Sequence, residues 1–283
     1  MNSIINWIIN NWFSVLEYFG GGSAIISIIA FICKFISNKC LYVKEIKKDS
    51  DKDIIGFKRV YEMIDESMRI DSEDILRFLD QRKTQTDAIE HHIYILKKFG
   101  NTVGLLKFMV SKSNKYIFVA YLAVDLSDNA AKTDGIRVLL NKMRRKYLKK
   151  TIAHKIITEI PQGTNGKIHK SKAKRIARFA KANKKKAYYL DFPYIQPEMP
   201  TENDSMTPED FYYLVIVYLD EPSYLKLAKK QVVKIIESIY WGIYAPSCDI
   251  DDQCDCEKYT DKINDILKMY EGEEDKTINL IEI

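Results

Sequence analysis

Cysteine is scarce in this chain of 283 residues, and its five cysteines show no regular spacing. The sequence therefore does not predict a disulfide framework, and we expect a reducing compartment. Three cysteines, Cys248, Cys254 and Cys256, lie among aspartates, but this cluster contains no CxxC pair and has no histidine close by. Zinc prefers such ligands, so the cluster is interpreted as an acidic loop and no metal site is expected.

Charged residues are absent between Glu17 and Lys34, which leaves 16 uncharged residues in a row. A transmembrane helix needs about 20 apolar residues, a length that is reached if the helix continues past Lys34 with this lysine extended toward the headgroups. Aromatic residues precede the segment and lysines follow it: Trp7, Trp12 and Tyr18 come before, and Lys34, Lys39, Lys44, Lys47 and Lys48 after. The pattern predicts residues 1–40 as a single-pass anchor in the cell membrane, with lipid as its partner and the later residues on the cytosolic side.

Two alternatives to a spanning anchor stay open. Residues 3–16 could lie flat in the membrane interface with only the second half inserted, because three glycines interrupt a span that is already short. The segment could instead be a buried helix of a globular domain. A cleaved signal peptide is less favoured, because no basic residue opens the chain.

Acidic residues are absent between Lys167 and Lys186, a stretch with ten lysines or arginines. We expect a helix there, with an apolar stripe of Ile168, Ile176 and Phe179 against the core. Such a basic block suits phosphates, anionic lipid or nucleic acid, and a solvated charged surface is the plainest alternative. Nucleic acid is the least favoured partner, because few aromatic residues accompany the cations to stack on bases.

After residue 40 the hydrophobic pattern predicts a mixed α/β domain. A strand at 41–48 and helices at 53–65 and 72–83 precede three apolar runs, which start at Glu90 and are separated by short turns typical of an antiparallel meander. The remaining predicted elements are, in order, a helix from Gly135, a strand at 154–161, the basic helix, strands at 187–192 and 209–219, and helices at 224–245 and 257–270.

One strand–helix–strand crossover in this order indicates a phosphate-binding site. The strand that ends at Asp125 leads through a short loop into the helix at Gly135, and another strand follows at His154. A helix that begins at the carboxyl end of a strand presents backbone N–H groups and a favourable dipole to a phosphate.

In its order of elements and in three motifs, the stretch over residues 43–220 resembles the GNAT (GCN5-related) N-acetyltransferase family. Residues 116–125 and the helix after them are similar to the family's central strand and acetyl-CoA-binding helix, and residues 156–161 to the strand that follows. Residues 172–200 resemble the next helix and strand, and contain the distinctive motif Tyr194-Ile195-Gln196-Pro197. The resemblance implies an α/β GNAT-like fold over residues 41–222, with a mixed, largely antiparallel sheet flanked by helices, and a helical extension over residues 223–283 packed on it.

The resemblance also implies acetyl-CoA as cofactor, bound in two places. The pantetheine arm would pair with the central strand at Leu122 and Val124, and the pyrophosphate would rest on backbone N–H groups of a loop. That loop reads Lys132, Thr133, Asp134, Gly135, Ile136 and Arg137. It departs from the family's R/Q-x-x-G-x-G/A pattern, since Lys132 replaces Arg or Gln and Arg137 replaces a small residue. The bulk of Arg137 either crowds the pyrophosphate or donates hydrogen bonds to it.

Catalysis in the family is direct acetyl transfer from the cofactor to an amine, assisted by a general base and a general acid. Glu159, in the acidic strand, is the candidate base, with an ordinary ion pair as the alternative. The family's frequent tyrosine acid is missing, because Phe179 and Ala180 occupy its positions. The candidate substitutes are Tyr188, Tyr189 and Tyr194, of which Tyr194 is chosen.

Three functions are open at the level of sequence. The first is a membrane-anchored N-acetyltransferase that transfers acetyl from acetyl-CoA to an unidentified amine. The second is a catalytically degenerate GNAT-fold module that binds a partner or acts as an effector at the membrane. The third is a basic nucleic-acid-binding protein. Asp125 is expected to cap its loop, with contact to the amine as the alternative. The aromatic residues Tyr240, Trp241 and Tyr244 are expected in the core, with ligand binding as the less favoured role.

Overall fold

The structure, a computed structural model, describes residues 41–47, 50–64, 72–73, 75–76, 89–147, 153–163, 166–197, 210–218, 225–245, 253–272 and 275–283. No helix within these stretches is long and apolar enough to cross a membrane. The predicted anchor over residues 1–40 and most of the predicted helix over residues 72–83 lie outside them.

Up to residue 218 the described elements follow the predicted order, with an additional strand at Tyr194–Gln196. The strands are β1 (Leu41–Glu45), β2 (Ile89–Lys98), β3 (Asn101–Ser111), β4 (Tyr116–Val124), β5 (Lys155–Pro161), β6 (Ala187–Leu190), β7 (Tyr194–Gln196), β8 (Asp210–Tyr218), β9 (Lys226–Ala228) and β10 (Thr277–Glu282). The α-helices are α1 (Asp51–Tyr61), α2 (Ile136–Tyr147), α3 (Lys170–Ala182), α4 (Lys229–Ile239) and α5 (Gln253–Lys268). Two π-helical turns adjoin them, π1 (Ala131–Gly135) before α2 and π2 (Tyr240–Tyr244) after α4.

The strands form one sheet in the order β1-β2-β3-β4-β5-β8-β6-β10-β9, and β7 also pairs with β8. Strands β2 to β4 are an antiparallel meander, as predicted, and β1 pairs antiparallel to β2. Among the described strands, β4 and β5 are parallel and the other neighbours are antiparallel. The parallel pair follows from the helical crossover through α2, because parallel neighbours need such a connection. The predicted fold class, an α/β fold with a mixed, largely antiparallel sheet flanked by helices, is confirmed.

Helices cover both faces of the sheet. On one face α2 buries a stripe at helical spacing, and Phe179 and Ala180 of α3 pack beside it. The stripe consists of Leu139, Leu140, Met143 and Tyr147. On the other face α1, α4 and α5 share a second core with the same strands. Since both faces are buried, the central strands are near-continuous apolar runs and do not alternate.

The C-terminal residues correct two predictions. The sequence predicts only helices over residues 223–283, but β9 and β10 join the sheet, with β10 paired to both β6 and β9. In β10 only Ile278 and Leu280 are buried, a pattern too short to identify a strand that depends on a distant partner. Helix α5 begins at Gln253, so Cys254 and Cys256 lie in a helix and not in the predicted acidic loop.

A buried carboxylate fixes α1 against the edge of the sheet. Asp53 Oδ1 lies 2.7 Å from Lys97 Nζ, and Asp53 Oδ2 lies 2.5 Å from Lys44 Nζ and 2.6 Å from Ser50 Oγ. Asp53 and Lys97 are only 3% and 4% exposed. Burial alone would raise the pKa of Asp53, but hydrogen bonds from the two ammonium groups and the hydroxyl keep that pKa well below its usual range.

The substitution Asp53→Asn should lower the free energy of unfolding by about 3–5 kcal/mol, because Lys97 would be buried without its carboxylate. Urea unfolding at neutral pH measures the change. Because the pKa of Asp53 is lowered on folding, its stabilisation should be lost as the pH falls through the acid range. The control Asp51→Asn changes an exposed acid in the same turn and should stay within about 0.5 kcal/mol of wild type. Equal effects of the two substitutions would contradict the role assigned to Asp53.

Candidate active site

The parallel strands β4 and β5 diverge part-way along their length. Their pairing runs from Tyr116 opposite Lys155 to Val119 opposite Thr158. Beyond that point β4 continues to Val124 and β5 to Pro161 without pairing to each other. Each strand stays paired to its outer neighbour, β3 or β8. The two strands therefore separate toward the end at which both of them stop, and the gap between them is named the cleft.

A β-bulge in β4 starts the divergence. Tyr121 lies opposite Lys107 of β3, but Val119 lies opposite the next residue, Phe108, so Ala120 is an extra residue. A bulge bends its strand away from regular pairing. On the β5 side, Thr158 Oγ1 donates a hydrogen bond of 3.1 Å to the Val119 carbonyl and closes the narrow end of the cleft. Residues 120–124 thus present a strand edge to the cleft.

Glu159 comes directly after Thr158, at the narrow end of the cleft. Its Oε1 accepts a hydrogen bond from Tyr194 Oη, and Tyr244 Oη lies 2.6 Å from each of its carboxylate oxygens. Tyr194 belongs to β7 and Tyr244 to π2, and both are almost fully buried. The structure therefore brings the two predicted catalytic residues, Glu159 and Tyr194, into direct contact.

Burial raises the pKa of Glu159 from its ordinary value of 4.5 to about 7, against the opposing effect of the two phenol hydrogen bonds. Burial, together with the Glu159 carboxylate, raises the pKa values of Tyr194 and Tyr244 well above their ordinary value. At neutral pH the phenols therefore keep their protons and donate them in hydrogen bonds. A carboxyl group that titrates near the working pH is suited to general base catalysis.

Tyr244 is the residue of this cluster for which the sequence favours a place in the core over a role in ligand binding. It reaches Glu159 because π2 packs closely on the sheet, where a Cβ at Gly242 would lie 2.6 Å from Met109 Sδ. Tyr240, also in π2, donates a hydrogen bond to the carbonyl of Ile195, next to Tyr194. Single π-helical turns are frequent at functional sites. The aromatic spacing of π2 was visible in the sequence, but nothing in it pointed to a partner 85 residues away.

The residues predicted as a phosphate-binding loop form a helix instead. Helical backbone begins at residue 129, π1 covers Ala131–Gly135, and α2 continues from Ile136. The prediction of a loop over residues 132–137 is therefore wrong, and the physical reason is that residues 129–134 contain neither glycine nor proline to interrupt a helix. Backbone N–H groups there bond within the helix, as Lys132 N does to the Asp128 carbonyl at 2.9 Å.

Acidic side chains of the chain itself occupy the N-terminus of this helix. Asp128 Oδ1 accepts the Ala131 N–H at 2.9 Å, and its Oδ2 lies 2.7 Å from Lys98 Nζ. Asp125 Oδ1 accepts hydrogen bonds from the Ser127 N–H at 2.9 Å and from its hydroxyl at 2.5 Å, which confirms the predicted capping role. Although burial opposes it, Lys98 and the backbone N–H groups lower the pKa of Asp128. A carboxylate thus takes the place at which a phosphate was predicted.

The other predicted cofactor residues lie around the same helix. Gly135 is buried against the sheet, and a Cβ there would lie 2.8 Å from Leu96 Cδ2 and 3.0 Å from Val124 Cγ1, so its visible role is close packing of helix on strand. Arg137 does not fill the cleft, because its side chain is 66% exposed and lies 2.7 Å from Asp134 Oδ1. Leu122 and Val124 are half-buried on β4, and Lys132, Thr133 and Ile136 are exposed on the helix.

Stability should fall as the pH rises from about 4.5 to about 7, because folded Glu159 holds a proton that the unfolded chain releases. Glu159→Gln keeps an acceptor for both phenols but does not ionise. The variant should therefore lack this fall in the free energy of unfolding, which amounts to at most about 3 kcal/mol. Urea unfolding over a pH series measures it. The control Glu282→Gln alters an exposed carboxylate 3.2 Å from Lys186 and should keep the wild-type profile. An unchanged profile in Glu159→Gln would refute the raised pKa.

No protein-family profile and no curated protein matches the chain. Similar solved structures include a protein from Bacteroides thetaiotaomicron assigned to the GNAT family of acetyltransferases, with 15% identity and a TM-score of 0.42 over 72% of this chain and 98% of that one. Another, from Salmonella typhimurium, is assigned as an acetyltransferase and was solved with its cofactor acetyl-CoA, with 13% identity and a TM-score of 0.40 over 65% and 96%. A tandem GNAT protein from the clavulanic acid biosynthesis pathway matches 53% of this chain with 14% identity and a TM-score of 0.39, and the chain spans 48% of its length. Similarity at this level carries no argument about function, which has to be argued from the geometry of the cleft.

Proposed function

We propose that this chain is a membrane-anchored N-acetyltransferase of the GNAT type, which transfers acetyl from acetyl-CoA to an amine in the cleft between β4 and β5. The observation that carries this is the position of Glu159, with a pKa of about 7, at the narrow end of a cleft between two diverging parallel strands. A sheet with a purely structural role has no need to open its parallel pair or to bury a carboxylate beside that opening, which costs desolvation.

The cleft fits the thioester arm of acetyl-CoA. An extended ligand binds a strand edge through main-chain hydrogen bonds, and β4 presents such an edge over residues 120–124. Leu122 and Val124 lie on this edge, and their backbone groups would hold the pantetheine arm. When bound, the cofactor supplies an activated acetyl thioester.

The phosphate end of acetyl-CoA does not fit the helix N-terminus, because Asp128 already accepts the Ala131 N–H and places a carboxylate there. Phosphate charge would have to be met by side chains instead. Lys132 and Arg137 are exposed cations on the same helix, and Asp134 orients the Arg137 guanidinium. In this arrangement Thr133 and Ile136 line the exposed side of the helix, and Gly135 keeps it close to β4.

Glu159 acts as the general base in this proposal. Its ionised carboxylate would accept a proton from the acceptor amine as the nitrogen bonds to the acetyl carbon, while the bond from that carbon to the thioester sulfur breaks and coenzyme A leaves as a thiolate. Tyr244 and Tyr194 orient the carboxylate by donating hydrogen bonds to it. Tyr194, the candidate acid, would give its Oη proton to the departing thiolate, and the proton that Glu159 took from the amine would replace it through the hydrogen bond between Tyr194 Oη and Glu159 Oε1.

The membrane anchor belongs to the same proposal. Residues 1–40 contain the 16-residue uncharged segment, and β1, the first described strand, begins at Leu41. A span in the cell membrane followed by lysines would hold the domain at the cytosolic surface. The acceptor amine would then be a molecule present at, or recruited to, that surface.

Glu159→Gln should lower kcat/KM for amine acetylation by about 10²- to 10⁴-fold, the usual contribution of a positioned general base. Wild-type activity should rise with pH around a midpoint near 7, as Glu159 ionises, and this limb should be absent in the variant. Thiol release from acetyl-CoA by the detergent-solubilised full chain, with a panel of small amines and peptides, measures both. The control Glu282→Gln should retain wild-type activity, and an equally active Glu159→Gln variant would exclude Glu159 as the base.

A second candidate is a non-catalytic module that keeps the GNAT-like fold and binds a partner at the membrane. The acidic helix N-terminus favours it, because the ionised Asp128 carboxylate repels a phosphate at the place where an anion would bind. The enzyme has to bind acetyl-CoA, whereas the non-catalytic module does not.

Calorimetry with acetyl-CoA on the full chain separates the two candidates. The enzyme should bind, and Asp128→Ser should tighten binding several-fold, because serine still caps the helix but removes the negative charge. No heat of binding for either protein at millimolar ligand, together with no turnover of any amine, would reject the enzyme and leave the non-catalytic module.

A further inference from the structure

Four features of the fold lie at one end of the sheet, which is named the open end. Strand β1 begins there, with Leu41 opposite Lys98, and β2 turns into β3. Strand β4 ends there with Val124, and β5 ends there with Pro161. The chain therefore arrives from residues 1–40 at the end of the sheet at which the cleft opens.

Large apolar side chains are exposed at the open end. Phe99 in the β2–β3 turn is 67% exposed and Leu126 after β4 is 69% exposed. The two turns are neighbours, because Lys98 Nζ lies 2.7 Å from Asp128 Oδ2. Phe211, which is 51% exposed, lies at the end of β5 through the hydrogen bond from Gln162 N to its carbonyl. Exposed apolar residues thus stand on both sides of the cleft mouth.

Phe99 also has an uncommon backbone conformation. Its φ of 49° is in the left-handed region, and Gly100 follows with a φ of 86°. Two-residue turns of this kind favour Asn-Gly, and a bulky residue at the first position is costly. Within the domain the ring meets Lys98, whose Nζ lies 6.0 Å from the ring centroid, but most of the ring is exposed. The exposed part of the ring is available to a surface outside the domain.

Basic residues lie beside this apolar surface. The bridge between Gln162 and Ile168 prolongs the end of β5, and α3 then begins at Lys170 with no acid in its first turn. Lys167 and Lys170 are exposed at that helix start, where a cation opposes the helix dipole unless an anion is near. Lipid phosphates of a bilayer supply such anions.

We propose that the open end of the sheet rests on a bilayer that contains anionic lipid, with Phe99 and Leu126 among the headgroups and the lysines at the start of α3 against lipid phosphates. This docking rests on the membrane anchor of the proposed function. A bilayer is the expected partner of the open end, because the 40 residues that precede Leu41 carry the uncharged segment and lead directly to this end. The cleft mouth then faces the membrane surface.

Photo-crosslinking on the full chain tests this orientation. A benzophenone amino acid replaces Phe99 or Leu126, and as a control it replaces Ser113, an exposed residue in the β3–β4 turn at the opposite end of the sheet. Each protein is reconstituted into phosphatidylcholine vesicles with or without phosphatidylglycerol, irradiated and analysed by mass spectrometry. Lipid adducts should be several-fold more abundant at positions 99 and 126 than at 113, and should increase with phosphatidylglycerol.

Other results would overturn the docking proposal. These are equal adducts at all three positions, adducts at 99 and 126 to a second copy of the chain, or a full chain that does not associate with vesicles. Acetylation of the panel of small amines and peptides is measured in the same samples. Turnover without lipid adducts would reject the docking and leave the acetyltransferase, whereas lipid adducts without turnover would reject the acetyltransferase and leave the docking.

Discussion

The divergence of β4 from β5 is the constraint on which the candidate site depends. Parallel strands that stop pairing at Val119 and Thr158 leave main-chain groups inside the sheet that need water or a ligand. The sheet tolerates the opening because each strand keeps its outer neighbour and helices cover both faces. The Ala120 bulge starts the opening, and Glu159 lies at its narrow end.

Stability and chemistry make opposite demands on Glu159. Burial makes its charged form unfavourable, and the same burial brings its pKa into the range useful to a base. The hydrogen bonds from Tyr194 and Tyr244 limit this cost without supplying a cation that would lower the pKa further. Because Tyr244 comes from π2, the C-terminal helices complete the site, and the adjoining strand β10 ties that region of the chain into the sheet.

The β4 side of the cleft and the neighbouring helix N-terminus differ in their electrostatic character. The strand edge of β4 suits a neutral extended ligand, whereas the nearby helix N-terminus is occupied by Asp128 and its partner Lys98. A phosphate there would have to displace an ionised carboxylate from the backbone N–H groups, so the exposed side chains of Lys132 and Arg137 are the cations left to meet it. Any ligand of this cleft therefore has to pair with the strand edge of β4 and also tolerate the acidic residues at the start of the helix.

The sequence by itself determined the order of elements up to β8 apart from β7, the β2–β4 meander and the candidates Glu159 and Tyr194, because apolar periodicity and short motifs are local properties. Only the tertiary structure decided that the two candidates touch, that Tyr244 joins them, and that β10 is a strand, because these contacts join residues far apart in the chain. It also decided that residues 132–137 are helical and not a loop. The helical conformation depends on Asp128, which caps the helix and pairs with Lys98 at the end of β2. No local sequence pattern indicates that contact.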